Sequence, residues 1–202
     1  MLILNGEDIK RPSDFCYFGS VVAEDGGAST DVNVRMQKAT GSFSKPRKVC
    51  LSTSIRKDTK IKIFNAGVKS VLLYGSETWL VTSEIRRKIQ VFVNRSLRYI
   101  LRIRWPNIIS NKDLWRVSDQ EDINLQIRKI KFRWIGHKLR KEDGEISKAA
   151  LLWKSQGSRK RGRPKNSWRR SVIKEVGRSW NELRFLAADR QKWKELIDSL
   201  CS

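Results

Sequence analysis

Between Thr82 and Arg104 both the apolar residues and the cations recur with the spacing of a helix. At 100° per residue Ile85, Ile89, Phe92, Val93, Leu97 and Ile100 fall on one side, and Arg87, Lys88, Arg95, Arg98 and Arg102 on the other. A strand would scatter the two sets over both faces. The segment therefore predicts one long helix, capped by Thr82 and stopped by Trp105-Pro106, with one face packed and the other cationic. Such an element requires apolar neighbours on one side and solvent or an anionic partner on the other.

Periodicity also organises the flanks. Leu2-Ile3-Leu4 before Asn5-Gly6, and the aromatic and β-branched run Phe15 to Ala23, read as an N-terminal β-hairpin ended by Glu24-Asp25-Gly26-Gly27. Thr30 or Asp31 can cap a helix bearing Val32, Met36, Ala39 and Phe43, ended by Lys45-Pro46. Asp58 can cap another with Ile61, Phe64, Val68, Val71 and Leu72, terminated at Gly75. A short helix follows Ser110-Asn111. The segment from about Asp122 to Lys141 has two nearly opposite apolar stripes: Ile123, Ile127, Ile130 and Trp134, then Leu125, Phe132, Ile135 and Leu139. A helix apolar on two sides lies between other elements, leaving Lys129, Arg133 and Arg140 on its edges. Ser179-x-x-Glu182 is a capping box for a terminal helical segment with a break near Ala188-Asp189. The expected fold is mainly α: a short N-terminal β-hairpin, a multi-helix bundle and a basic C-terminal helical segment.

The charge balance narrows function. Of the 202 residues, 43 are Lys or Arg and 21 Asp or Glu, a net charge of +22. Residues 1–101 carry 17 basic and 9 acidic side chains and residues 102–202 carry 26 and 12, so the C-terminal half is the more electropositive. An excess this large points to a polyanionic partner. No run of roughly 18 apolar residues is present, and the first residues lack the apolar core of a signal peptide, so neither a membrane span nor secretion is expected. Cys16, Cys50 and Cys201 are far apart and His137 is the only histidine, which argues against a zinc site and fits free thiols in cytosol or nucleus. The acidic pairs Glu7-Asp8, Glu24-Asp25, Glu121-Asp122 and Glu142-Asp143 sit at turns or helix starts, and no aromatic-x-Asp-Asp run, P-loop or nucleophile elbow occurs. No cofactor and no catalytic residue is expected.

Two local signals remain. Arg159-Lys160-Arg161-Gly162-Arg163-Pro164-Lys165 is a short extended basic run in an acid-free stretch from Ile146 to Lys174. It has the AT-hook pattern for the minor groove of A·T-rich DNA, equally the composition of a nuclear localisation signal, or a loop that touches phosphate. Trp168, followed by Arg169 and Arg170, interleaves an aromatic with cations as single-strand stacking platforms do, whereas Trp134, Trp180 and Trp193 fit apolar stripes and read as core. His137 reads as a hydrogen-bonded structural histidine or a phosphate contact.

An ordered set of short motifs resembles one family: Phe15-Cys16-Tyr17-Phe18-Gly19-Ser20, Leu72-Leu73-Tyr74-Gly75-Ser76-Glu77-Thr78-Trp79, Arg133-Trp134-Ile135-Gly136-His137, Gly162-Arg163-Pro164 with Trp168, Ser179-Trp180, Ala188-Asp189-Arg190 with Trp193, and Leu200-Cys201. Over nearly its whole length the chain is similar to the C-terminal region of the reverse transcriptase of non-LTR (LINE-type, RTE-like) retrotransposons. Phe18 stands where the family usually has leucine, and Lys138 where it has an aliphatic residue. The resemblance implies a primer-grip-like hairpin at 1–28 carried by Phe15, Tyr17 and Gly19, and a thumb-like bundle at 29–106. It further implies a helical C-terminal domain at 107–153, a basic exposed loop at 154–166 and terminal helices at 167–202. The family's endonuclease and its palm, with the metal-binding aspartates, lie upstream of such a hairpin. The expectation is thus a non-catalytic module binding RNA, RNA–DNA hybrid or target DNA, nuclear or cytoplasmic. The alternatives are part of an active polymerase whose palm is absent from this chain, or an AT-hook-like DNA binder.

Overall fold

A computed structural model of the chain describes residues 2–4, 7–9, 14–17, 19–23, 28–44, 47–142, 144–152 and 167–201. The chain folds as two compact units, one formed by Met1–Tyr74 with Val81–Ile109, the other by Gly75–Leu80 with Ser110–Ser202. Short β-structure at the N-terminus is followed by helices, as the patterning predicts.

In the first unit β1 (Leu2–Leu4) pairs antiparallel with β2 (Glu7–Ile9), and β3 (Asp14–Tyr17) with β4 (Ser20–Ala23). There are thus two hairpins where the patterning predicts one. The Phe15 to Ala23 run folds back on itself, with Tyr17 opposite Ser20 and Gly19 at φ 78°, a left-handed conformation that costs glycine nothing. Helix α1 (Ser29–Ser44) follows, then α2 (Arg47–Leu51) and α3 (Lys57–Phe64). Helix α3 runs through a π-helical turn, Asn65–Lys69, into α4 (Ser70–Leu72). Asp58 does not cap it: Arg56 holds the cap position without a side-chain bond, and Asp58 sits in the first turn, where its charge faces the positive end of the helix dipole.

Asp31 likewise lies inside α1, buried, with its carboxylate accepting the Val21 N–H at 2.9 Å. Arg35, one turn on and also buried, donates to Ser20 Oγ at 2.9 Å and stacks 4.4 Å from the centre of the Tyr74 ring. Lys38 reaches the Gly19 carbonyl at 3.0 Å. One face of α1 therefore holds the turn of the second hairpin by charge-assisted bonds.

Helix α5 (Ser83–Ile100) is capped by Thr82, whose hydroxyl accepts the Ile85 N–H. Ile85, Ile89, Val93, Leu97 and Ile100 are buried with Val32, Ala39, Ile61, Phe64, Val68 and Leu72. Each such aliphatic side chain contributes about 1.5–3 kcal/mol relative to exposure. Phe43 meets Phe64 and Tyr99 edge-on, at 6.1 and 5.7 Å between ring centres. The helix stops at Ile100, short of the expected Arg104. Ile103 N–H bonds the Arg98 carbonyl and Arg102 N–H the Tyr99 carbonyl, with Arg102 at φ 57°. This is a Schellman closure with arginine in the place glycine usually takes.

The second unit holds α6 (Asn111–Ser118), α7 (Ile123–Leu139), α8 (Ile146–Leu152), α9 (Trp168–Val176), α10 (Trp180–Ala188) and α11 (Arg190–Leu200). Helix α7 is central, as a helix apolar on two sides must be. Phe132, Ile135 and Leu139 pack with Leu151, Val172, Trp180, Leu183, Trp193 and Ile197. Glu175 of α9 accepts from Arg128 at 2.7 Å and from Lys131 at 3.1 Å, and Arg128 also donates to the Leu200 carbonyl at 2.6 Å. The capping box forms, Ser179 Oγ accepting from Glu182 N–H and Glu182 accepting from Ser179 N–H. Asp189 separates α10 from α11 and caps the latter. Among the described residues no helix is long and apolar enough to cross a membrane.

Candidate nucleic-acid interface

The cationic face of α5 carries two kinds of side chain. Arg87 and Arg95 are exposed; Arg86 is exposed too, but lies on the side of the helix that carries Val93 and Leu97. Lys88 is paired with Glu84 at 2.8 Å, a bond that holds the Glu84 carboxyl below the usual carboxylate range. The pair lies in water and contributes little to stability. Arg98 is half-buried and donates to the Ile109 carbonyl, and Arg102, past the helix end, donates to the Leu51 carbonyl. These two fasten α5 to its own unit, so the open part of the face runs from its start to Arg95 in the fourth turn.

In the second unit Lys129 pairs with Glu121, Arg133 is exposed, and Arg140 gives an N–H to the Ala187 carbonyl at 3.1 Å. Arg133 and His137 of α7 and Arg140 at its C-cap line one side of a cleft of about 490 Å³, with Arg190 and Lys194 of α11 on the other. His137 is exposed at this cleft. Arg190 and Lys194 escape sequence reasoning because a terminal helix with scattered charges reads as solvated. Their i, i+4 spacing, matching Arg133 and His137, was the available signal.

Two features hold the cleft at its width. Trp193 donates its indole N–H to the Phe132 carbonyl of α7 at 2.9 Å. A Cβ on Gly136 would lie 2.6 Å from Cδ1 of that indole, so only glycine lets the ring sit against the helix. Burial first, then the Arg190 guanidinium, holds Arg140 below the ordinary arginine range.

Trp168 is not a free stacking platform. Half-buried, it donates its indole N–H to the Glu77 carbonyl at 3.1 Å and meets Trp134 and Trp180 edge-on, at 6.1 and 6.5 Å. Its edge lines a mainly apolar pocket with Trp134, Lys138, Leu151 and Arg169. Arg169 lies over the Trp180 ring at 5.1 Å, and Arg170 is exposed. Of the primer-grip-like residues, Phe15 is 57% exposed and Gly19 accepts from Lys38, while the Tyr17 side chain lies outside the described residues. So do Arg159, Lys160, Arg161, Arg163 and Lys165. Burial pushes the Cys50 and Cys201 thiols up. Among the described residues no group of three or more His, Cys, Asp or Glu side chains is arranged to hold a metal ion.

Residues 42–74 match the model of a family described as a domain of unknown function, DUF6451. The chain is also similar to the putative uncharacterized transposon-derived protein F52C9.6 of Caenorhabditis elegans, at 22% identity over 195 residues, covering 91% of this chain and 70% of that protein. No solved structure matches.

Proposed function

We propose that the chain is a nucleic-acid-binding module of transposon origin, corresponding to the thumb and C-terminal part of a non-LTR retrotransposon reverse transcriptase. One observation carries the binding reading. On α5 the side opposite a buried stripe exposes Arg87 and Arg95, in a chain of net charge +22. Phosphate backbones are what such a surface attracts without shape-specific pockets. The transposon origin rests on the similarity to a transposon-derived protein together with the ordered motifs. Polymerisation is assigned to residues outside this chain, which holds no aromatic-x-Asp-Asp run; of its acidic pairs Glu7-Asp8 lies in β2, not at a turn as the sequence suggests, and Glu121-Asp122 at the start of α7.

The test is binding of the purified chain to RNA, RNA–DNA hybrid and duplex DNA as a function of salt. Log affinity should fall linearly with log salt, by about 0.9 per duplex phosphate neutralised. Affinity that does not respond to salt refutes the reading, and primer extension by the chain alone with Mg²⁺ refutes the assignment of catalysis elsewhere. Competition by a minor-groove ligand restricted to A·T tracts would move the contact to the basic run at 159–165.

A further inference from the structure

We propose that the cleft between α7 and α11 is a phosphate site of the second unit, one that takes the sugar–phosphate backbone of a nucleic-acid strand. The proposal rests on the nucleic-acid reading above and adds a second, separate contact to it.

The cleft is built from two basic ridges. Arg133 and His137 stand at i and i+4 on α7, with Arg140 at its C-cap on the same side of the cleft, and Arg190 and Lys194 at i and i+4 on α11. Asp198 is the one carboxylate among the lining residues. Arg133, Arg190 and Lys194 are exposed, and none is paired with a described carboxylate, although Glu195 stands next to Lys194 and bonds Gln191 instead at 3.2 Å.

The ridges are also held in place. Contact of the Trp193 ring with Gly136, and its bond to the Phe132 carbonyl, set the distance between the helices. Arg140 is anchored to the Ala187 carbonyl, so part of its ordering is complete before any ligand arrives. Like charges fixed face to face repel, and burial together with Arg190 already lowers the affinity of Arg140 for its proton. An anion in the cleft removes that repulsion. Three guanidinium groups favour phosphate, whose oxygens accept the paired N–H groups of each fork. A strand with regularly spaced charges answers two ridges better than a lone anion.

The experiment uses the full chain and the variant Arg133→Gln/Arg190→Gln/Lys194→Gln, whose altered side chains make no bond to the core. Binding of a duplex and of a single-stranded oligonucleotide is followed against salt, with the indole N–H resonance of Trp193 as a local probe. The variant's slope on duplex should be smaller by about 2–3, near 0.9 for each phosphate no longer neutralised. Oligonucleotide should shift the Trp193 resonance in the parent chain and not in the variant. If the triple variant does not fold, Lys194→Gln alone should reduce the slope by about 0.9. A parent-like slope in the folded variant overturns the proposal. A Trp193 resonance moved by sodium tripolyphosphate but not by oligonucleotide overturns the strand as occupant. Arg87→Glu/Arg95→Glu, measured in parallel, separates the two readings. Loss of binding there beside an unchanged slope in the cleft variant leaves nucleic-acid binding standing and the cleft refuted. A parent chain with no salt-dependent binding refutes both.

Discussion

Gly136 has only a hydrogen where any other residue would place a carbon 2.6 Å from Cδ1 of the Trp193 indole. Gly136→Ala should destabilise the chain by about 1–3 kcal/mol, the usual cost of overpacking, as measured by urea unfolding. In a Trp193→Ala background the same change should cost much less, because the clash is gone. An equal cost in both backgrounds would mean that the ring does not set the requirement. Arg102 poses the reverse problem, a long side chain at φ 57° where glycine is usual. Arg102→Gly and Arg102→Ala both lose the bond to the Leu51 carbonyl. Their difference therefore isolates the backbone, and thermal unfolding should show the alanine variant less stable by about 1 kcal/mol. Neither residue could be assigned its role from sequence, since both depend on what lies across a tertiary contact. The same holds for Asp31 and Arg35. An acid at the start of a helix reads as a cap, but Asp31 is buried, as is Arg35, against the turn of the second hairpin.

Helix α5 was legible almost to the residue, because the burial of Ile85, Ile89, Val93, Leu97 and Ile100 follows from a period that tertiary context did not override. Its end was not, since a Schellman closure on a non-glycine residue leaves no mark in sequence. That end divides the cationic face. Arg87→Glu/Arg95→Glu should weaken duplex binding, with the salt slope reduced by about 2, while the far-ultraviolet spectrum stays that of the parent. Reversing Arg98 and Arg102 should instead lower the unfolding midpoint. If the first pair leaves binding untouched in a folded chain, α5 presents a solvated face and no more. The capping box of α10 was legible too, as Ser179-x-x-Glu182. Backbone and side-chain bonds with Ser179 hold the Glu182 carboxyl below its ordinary value of 4.5. A carboxyl depressed in the folded state stabilises above its unfolded pKa and loses that contribution as pH falls through the folded value. Acidification below about pH 4.5 should thus loosen α10, seen as faster amide exchange in its first turn. Glu182→Gln should remove that pH dependence.

For the molecule as a whole, a net charge of +22 works against compactness. With a screening length near 10 Å at 0.1 M salt, repulsion among exposed cations should weaken as salt is added. The thermal midpoint should therefore rise with potassium chloride from low ionic strength, and should rise further at fixed salt when oligonucleotide is present. A midpoint that is flat or falling would show that the cations are already neutralised in pairs.

Gly75–Leu80 belongs to the second unit, yet the chain on either side of it belongs to the first. Its Glu77 carbonyl is met by the indole of Trp168, 91 positions later. On the ribosome, at about 5–20 residues per second, the segment waits roughly 5–20 s before that tryptophan has been made. For that interval Trp79, only 2% exposed in the finished chain, lacks the late half of its unit. A chain ending before Trp168 would leave Trp79 without part of the unit that buries it, although every residue of the first unit is present by Ile109.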